Sequence, residues 1–193
     1  MTNKEQFIEI FKNNITRRGA AELLEWLEGS DFFTAPASTK FHLACEEGLL
    51  VHSLHVYHEL KEEIEMYKNK PNAVNYSDET IAIVSLLHDL CKVNFYTTEM
   101  RNKKDESGKW VQVPFYTIDD KLPYGHGEKS ALIVSKFLHL TTEELMAIRW
   151  HMGGFDDSAK GGSYAITNAF NMFPLCSLLH VADLKASYLD EAE

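Results

Sequence analysis

A histidine and an aspartate stand side by side, as His88-Asp89, inside an apolar run of the sequence, VSLLHDLCK. Burying this imidazole and carboxylate together carries a heavy desolvation cost unless a buried partner compensates them. A metal ion is the simplest such partner, because both side chains are ligands for zinc, iron, manganese or nickel. A lone buried histidine is more often a hydrogen-bonded core residue. The adjacent pair favours a metal site.

Two neighbours on one helix cannot complete a coordination shell, so further ligands must come from elsewhere in the chain. The sequence contains nine histidines. His52 lies in a long amphipathic segment, but His55 and His58 are close by, and periodicity alone does not select the one that faces inward. The remaining candidates stand near element ends or in the last predicted helix: His126, His151 and Asp183.

Three other side chains are candidates for substrate binding. Lys92 follows the His-Asp pair by three residues, so on a helix it lies on the same face as Asp89, where its ammonium can contact a phosphate oxygen. A solvated lysine at a helix end is the alternative. His42 and Arg149 are weaker candidates, and for both a structural role is favoured.

Helices must position most of these side chains. Apolar residues recur at helical spacing in six segments: 3–12, 19–28, 45–68, 126–139, 142–151 and 169–190. Another segment, TIAIVSLLHDLCK, is apolar almost all round and can be capped by Ser77 or Asp78, which predicts a core helix after a break at Lys70-Pro71-Asn72. Thr141 or Thr142 can cap the helix over 142–151.

The segment 93–120 has a different composition. Its two halves, VNFYTTEM and WVQVPFYTI, are rich in β-branched and aromatic residues, and the polar NKKDESGK lies between them. This pattern predicts a β-hairpin. The fold is therefore predicted to be all-α with a small β-hairpin insertion near 93–120. The pairs Gly153-Gly154 and Gly161-Gly162 are expected to bracket a flexible loop.

Composition limits the classes of function. A chain of 193 residues predicts a single domain over 1–193. The balance of 19 basic against 29 acidic side chains argues against duplex nucleic acid as a partner. An apolar leader and an apolar run of about 18 residues are both missing, which predicts a cytoplasmic protein without membrane contact. The three cysteines form no CxxC pair, so neither a disulfide framework nor a thiolate zinc site is expected.

Taken in order, these residues resemble the HD-domain metal-dependent phosphohydrolase superfamily, whose pattern is a histidine, a His-Asp pair and a distal aspartate on helices of one bundle. The similarity covers roughly residues 41–187. The segment GLLVHSL resembles the one that carries the first histidine, which selects His52, LHDLCK resembles the central motif, and Asp183 fits the distal aspartate. The resemblance implies an HD-domain helical bundle.

His126 and His151 stand between the pair and the distal aspartate, as in subgroups that hold two metals. These subgroups include the HD domain of bacterial 3′-5′ exoribonucleases and cyclic-dinucleotide phosphodiesterases. The resemblance implies one ion held by a first ligand set, with Asp89 bridging to a second ion at His126 and His151; the first set is His52, His88, Asp89 and Asp183. The chain departs from the pattern at Cys91, where glycine is usual, and at Glu47-Gly48, where many relatives have two glycines. Neither change removes a ligand.

The resemblance also implies an activity. Two divalent cations, of manganese, iron, nickel or zinc, activate water for attack on a phosphoester. The expected substrate is a phosphorylated small molecule, such as a nucleotide, or the end of a single-stranded nucleic acid. Asp89 and Lys92 are the predicted catalytic residues. The alternatives are a di-iron oxygenase of the HD fold, which uses the same ligand order, and a nucleotide-binding sensor that uses the metals only as anchors.

Overall fold

The computed structural model describes residues 1–71 and 73–192, and this part of the chain is predominantly helical with one two-stranded antiparallel sheet. Its α-helices are, in chain order, α1 (Asn3–Asn14), α2 (Ala20–Glu28), α3 (Gly48–Tyr67), α4 (Asp78–Leu87), α5 (His126–Ser135), α6 (Thr142–Trp150), α7 (Asp157–Lys160), α8 (Ala165–Met172) and α9 (Pro174–Lys185). The prediction of a helical fold with a small β insertion is confirmed. Asn72, which belongs to the predicted break before α4, lies outside the described residues, and so does Glu193.

Local capping defines where several helices begin. At α1, the Thr2 hydroxyl accepts from the Glu5 N–H while the Glu5 carboxylate accepts from the Thr2 N–H, which is a capping box. Thr141 begins α6 with the same motif. Ser77 accepts from the Thr80 N–H at the start of α4. The predicted caps at Ser77 and Thr141 are confirmed, and they fix the helices that precede the candidate ligands.

Helix α3 is central to the packing and contacts α1, α4 and α9. Most of its apolar side chains are buried, and every residue of α4 from Ile81 to Leu87 is also buried. Gly48 allows the start of α3 to approach the preceding loop, because an added Cβ would lie 2.2 Å from the Leu43 carbonyl oxygen. The predicted core position of α4 is confirmed.

The hairpin forms as predicted. Strands β1 (Tyr96–Lys104) and β2 (Trp110–Ile118) pair antiparallel, from Tyr96 opposite Ile118 to Lys104 opposite Trp110. The Asp105 carboxylate accepts from backbone N–H groups in the connecting turn, which orders its reversal. Most side chains of both strands are at least partly exposed, so the hairpin lies beside the helical core rather than inside it.

Several predicted boundaries are wrong. Helix α4 ends at Leu87, and His88-Asp89 lies in a turn that leads into the 3-10 turn Leu90–Lys92. The predicted helix over 169–190 is two helices, α8 and α9, because Pro174 begins a new helix and holds the preceding residue extended. The final turn, Ala186–Asp190, is π-helical. Two structured pieces occupy the predicted flexible loop: the 3-10 turn Gly153–Phe155 and α7.

Helix length bears on membrane insertion, since a span needs about 20 apolar residues. Among the described residues, no single helix is long and apolar enough to cross a bilayer. The pair formed by Ala165–Met172 and Pro174–Asp190 reaches the required length and composition only when its two parts, bent by 106°, are taken together.

Candidate metal centre

The six predicted metal ligands meet in one cluster inside the helical core. One comes from α3, two directly follow α4, one begins α5, one directly follows α6 and one lies in α9: His52, His88, Asp89, His126, His151 and Asp183. Their donor atoms form overlapping groups of three, within 4.8 Å of one another in each group: His52, His88 and Asp183; His88, Asp89 and His151; and Asp89 and His126 with Cys91. His88 and His151 have no exposed surface, and His52 and Asp89 have almost none. The geometry is compatible with a metal site, and the role of each ligand stays a prediction.

The Asp89 carboxylate lies between two groups of histidines. Its Oδ2 is 3.6 Å from His52 Nε2 and 3.5 Å from His88 Nε2. Its Oδ1 is 2.7 Å from His126 Nε2 and 3.4 Å from His151 Nε2. The cluster therefore has two halves. We call them the His52 half (His52, His88, Asp183 and Asp89 Oδ2) and the His126 half (His126, His151 and Asp89 Oδ1).

Hydrogen bonds on the outer side of three imidazoles fix their tautomers. In both His88 and His151, the Nδ1–H donates to the backbone carbonyl three residues earlier, at 2.7 Å. In His52, Nδ1 lies 3.1 Å from the Glu191 carboxylate, which can only accept when ionised. In the neutral imidazoles, all three Nε2 atoms therefore point their lone pairs into the cluster, the arrangement that metal-binding histidines adopt.

Because these lone pairs point inward, several hydrogen-bond acceptors lie together in the cluster. His52 Nε2 lies 3.3 Å from His88 Nε2 and 3.2 Å from Asp183 Oδ1, so acceptors face acceptors whenever His52 is neutral. His151 Nε2 is buried and has no hydrogen-bond partner among the described residues. Such contacts are unfavourable in a buried site without a cation between the donors. A divalent ion satisfies these atoms together, so the residues present fit a metal.

In the metal-free chain, bound protons supply part of the positive charge that the cluster lacks. Burial lowers the pKa of His52, but hydrogen bonds to Asp183 and Glu191 outweigh it and raise that pKa to about 9. Burial lowers the pKa of His88 to about 3. Burial raises the pKa of Asp89, but the Lys92 ammonium and the neighbouring histidines together outweigh it and hold the pKa well below its usual value. The carboxylates are thus ionised and available as ligands at neutral pH.

Lys92 is part of the cluster. Its Nζ lies 2.6 Å from Asp89 Oδ2, and the residue is buried. The alternative of a solvated lysine at a helix end is therefore wrong. Burial lowers the pKa of Lys92, but the attraction of Asp89 outweighs it, so the pKa is raised and the ammonium stays charged. The cluster thus has a fixed cation at its edge.

The two weaker candidates have different surroundings. The His42 ring lies 4.9 Å from the His52 ring, and its Nε2 is buried without a hydrogen-bond partner among the described residues. Arg149 is engaged elsewhere: its guanidinium pairs with Asp156 at 2.9 Å and with Glu128. His42 therefore lies at the cluster, whereas the charge of Arg149 is already compensated by neighbouring carboxylates.

Close helix contact brings the His126 half together. Gly127 lies against the end of α6, where an added Cβ would be 2.1 Å from the Arg149 carbonyl oxygen. The start of α5 can therefore approach the end of α6, and the His126 and His151 ring centroids are 5.2 Å apart. A side chain at position 127 would separate these two imidazoles.

Two residues of the site are missing from the sequence prediction. Glu191 accepts from both His52 and His55, whose Nδ1 lies 2.9 Å from its carboxylate. Cys91 places its Sγ 3.4 Å from His126 Nε2. No local pattern marks Glu191, whereas Cys91 stands where the resembled motif usually has glycine. The structure also selects His52 as the inward residue of α3, because His55 is partly exposed and His58 is exposed.

Comparison of the chain with protein-family models, with curated proteins and with solved structures finds no significant match. The likeness to HD-domain proteins therefore rests on the ordered motif and on the geometry of the cluster. The function must be inferred from the chemistry of these side chains.

Proposed function

We propose that the protein is a metal-dependent phosphohydrolase of the HD type, which uses water to cleave a phosphoester of a nucleotide or of a single-stranded nucleic-acid end. The observation that carries the proposal is the position of Asp89, whose two oxygens face different pairs of imidazoles. A carboxylate shared in this way is the usual bridge of a two-metal hydrolytic site. The ordered histidine and aspartate motif supports the same class.

Each half of the cluster offers ligands for one divalent ion. The His52 half has two imidazole nitrogens and two carboxylate oxygens, and the His126 half has two imidazole nitrogens and one carboxylate oxygen. Nitrogen and oxygen donors of this kind suit manganese, iron, nickel or zinc. Bound ions would activate water and neutralise the charge that develops on the phosphate.

The chain itself supplies an additional cation. The Lys92 ammonium is buried beside Asp89, so it remains near the centre whether or not substrate is present. Its charge favours an anionic group in the cluster, and Nζ can donate to a phosphate oxygen in the ground state and the transition state. This buried cation favours a phosphorylated substrate over a neutral one.

The exposure of the ligand side chains limits which part of a substrate can reach the cluster. Most of the ligand side chains are fully buried, whereas the side chains of His126 and Asp183 are 30% and 14% exposed. We expect a phosphate group to reach the centre past one of these two exposed side chains, while the rest of the substrate remains outside. A terminal phosphoester satisfies this constraint better than the interior of a duplex, which the net charge of −10 also disfavours.

A hydrolysis assay tests the proposal. The protein is loaded with Mn, Fe, Ni or Zn and given nucleoside phosphates, dinucleotides and single-stranded oligonucleotides, and the products are identified. We expect turnover that is abolished in Asp89→Asn and retained in His58→Ala, a matched variant of an exposed histidine on α3. Failure to hydrolyse any of these substrates with any metal would refute the proposal.

The same assay separates the proposal from the alternatives predicted from the sequence. Hydrolysis with manganese under anaerobic conditions is expected of a phosphohydrolase and excludes an oxygenase mechanism for that reaction. Binding of a nucleotide without turnover, with both metals in place, would instead favour a sensor.

A further inference from the structure

We propose that Cys91 is a metal ligand in the His126 half and makes this position selective for a thiophilic divalent ion such as zinc. The inference rests on the metal centre of the proposed function but does not depend on the reaction catalysed there. The sequence alone predicts no thiolate site, because its cysteines form no CxxC pair. The fold brings the sulfur to ligands that are distant in the chain.

The sulfur lies at ligand distance from two members of the His126 half. Cys91 Sγ is 3.4 Å from each ring nitrogen of His126 and 3.9 Å from Asp89 Oδ1. In a tetrahedral zinc site, bonds of about 2.3 Å to sulfur and about 2.0 Å to nitrogen or oxygen place the sulfur about 3.5 Å from each of the other donors. The observed separations approach these values. For an ion to bind, the His126 to Asp89 hydrogen bond of 2.7 Å must lengthen, and the His126 ring must turn so that one nitrogen faces the ion.

A fourth donor is available next to this group. His151 Nε2 is fully buried, has no hydrogen-bond partner among the described residues and lies 3.4 Å from the same Asp89 oxygen. Its Nδ1–H is held by a backbone carbonyl, so Nε2 presents its lone pair to the cluster. Asp89, Cys91 and His126 form one group with donor atoms within 4.8 Å of one another, and His151 is grouped with the same carboxylate. If His151 Nε2 moves toward this group when an ion binds, the four side chains supply one sulfur, two nitrogens and one oxygen, the donor number of a tetrahedral site.

The backbone holds Cys91 in place. Its N–H donates to the hydroxyl of Ser130, a buried residue of α5, at 3.0 Å. The residue lies in the 3-10 turn Leu90–Lys92 and is itself buried. Since this anchor uses the main chain, a substitution of Cys91 keeps it, and small variants are expected to fold.

A thiolate changes the metal preference of the position. Sulfur donors favour zinc, iron(II) or cobalt(II) over manganese and magnesium, whereas the His52 half offers only nitrogen and oxygen. Binding replaces the S–H bond by a metal–sulfur bond, and the proton leaves to solvent. The two halves are therefore expected to differ in the ion they select.

Cobalt(II) provides a probe that reports the thiolate directly. We would replace Cys45 with Ser and Cys176 with Ala, which leaves Cys91 as the single cysteine of the chain. Titration of this protein with cobalt(II) should give a near-ultraviolet sulfur-to-metal charge-transfer band that saturates at one ion per chain. Adding Cys91→Ser, or Cys91→Ala as a second variant, should remove the band and lower the zinc affinity of one site by about 100-fold. Circular dichroism verifies the fold of each variant.

The outcomes separate this inference from the proposed function. Two bound cobalt ions without a charge-transfer band would overturn the role of Cys91 and leave the metal centre intact. A band that persists in both Cys91 variants would overturn it equally. Protein that binds no cobalt, zinc or manganese would overturn the metal centre as well.

Discussion

Asp89→Asn tests the shared carboxylate of the two halves. Asparagine keeps the size of the side chain but removes its charge and replaces one oxygen by an amide group that cannot bind a cation. Because each oxygen of Asp89 faces a different half, both positions lose a charged ligand. We expect a loss of at least about 100-fold in affinity for each ion, equivalent to about 2.7 kcal/mol.

The same substitution has a second effect in the metal-free protein. It leaves the buried Lys92 ammonium without the carboxylate that lies 2.6 Å away. Removing one partner of a buried ion pair costs about 3–5 kcal/mol in the free energy of unfolding. The double variant Asp89→Asn/Lys92→Met removes the unpaired ammonium as well, so we expect it to recover most of this stability without recovering the metals.

Two measurements separate these effects. Metal content after dialysis gives the stoichiometry, and urea unfolding with chelator present gives the stability of the metal-free chain. His58→Ala is the control, and it should keep two ions and normal stability. Asp89→Asn protein that retains both ions would refute the bridge, and retention of one tightly bound ion would assign Asp89 to one half alone.

Further substitutions test other parts of the site and the fold. Lys92→Met should keep both ions but lower kcat, because the proposed role of the ammonium is to contact the substrate phosphate; unchanged turnover in a steady-state assay would contradict this role. His126→Ala/His151→Ala should fold and bind one ion with little hydrolysis, and a metal count of two would make these histidines structural. Away from the site, burial raises the pKa of Glu144, but the hydrogen bonds and charge of Arg17, together with hydrogen bonds from two threonines, outweigh this and lower the pKa. Its stabilisation is therefore present above the unfolded pKa and is lost as the pH falls through the folded value. Glu144→Gln should cost about 3 kcal/mol at neutral pH and less below about pH 4, as measured by urea unfolding; an equal cost at both pH values would contradict this.

Local patterns predict the elements of this fold better than their ends. The hairpin follows from two β-rich segments around a polar turn, and the capped starts of α4 and α6 follow from Ser77 and Thr141. The division between α8 and α9 is signalled by Pro174, which holds the preceding residue extended. The apolar periodicity continues across this point and conceals the break. The end of α4 at Leu87 has none, because neither glycine nor proline follows it directly.

The sequence likewise predicts the candidate site only in part. The ordered motif identifies six candidate ligands, which the structure brings together. Periodicity does not choose among the histidines of α3, because this helix is buried over most of its surface. Glu191 reaches His52 across 139 positions of the chain, and such a contact depends on tertiary packing that no local pattern encodes. The environment of Cys91 likewise depends on how α5 packs against the 3-10 turn Leu90–Lys92.

The most direct test of the two-ion centre is a crystal structure of protein purified without added metal, with anomalous diffraction recorded on both sides of the absorption edge of the metal found by elemental analysis. We expect two anomalous peaks in the helical core, one in the His52 half and one in the His126 half, with the Asp89 carboxylate between them. A hydrolytically active protein without any ion in this cluster, or with its ions bound elsewhere, would contradict the proposed centre.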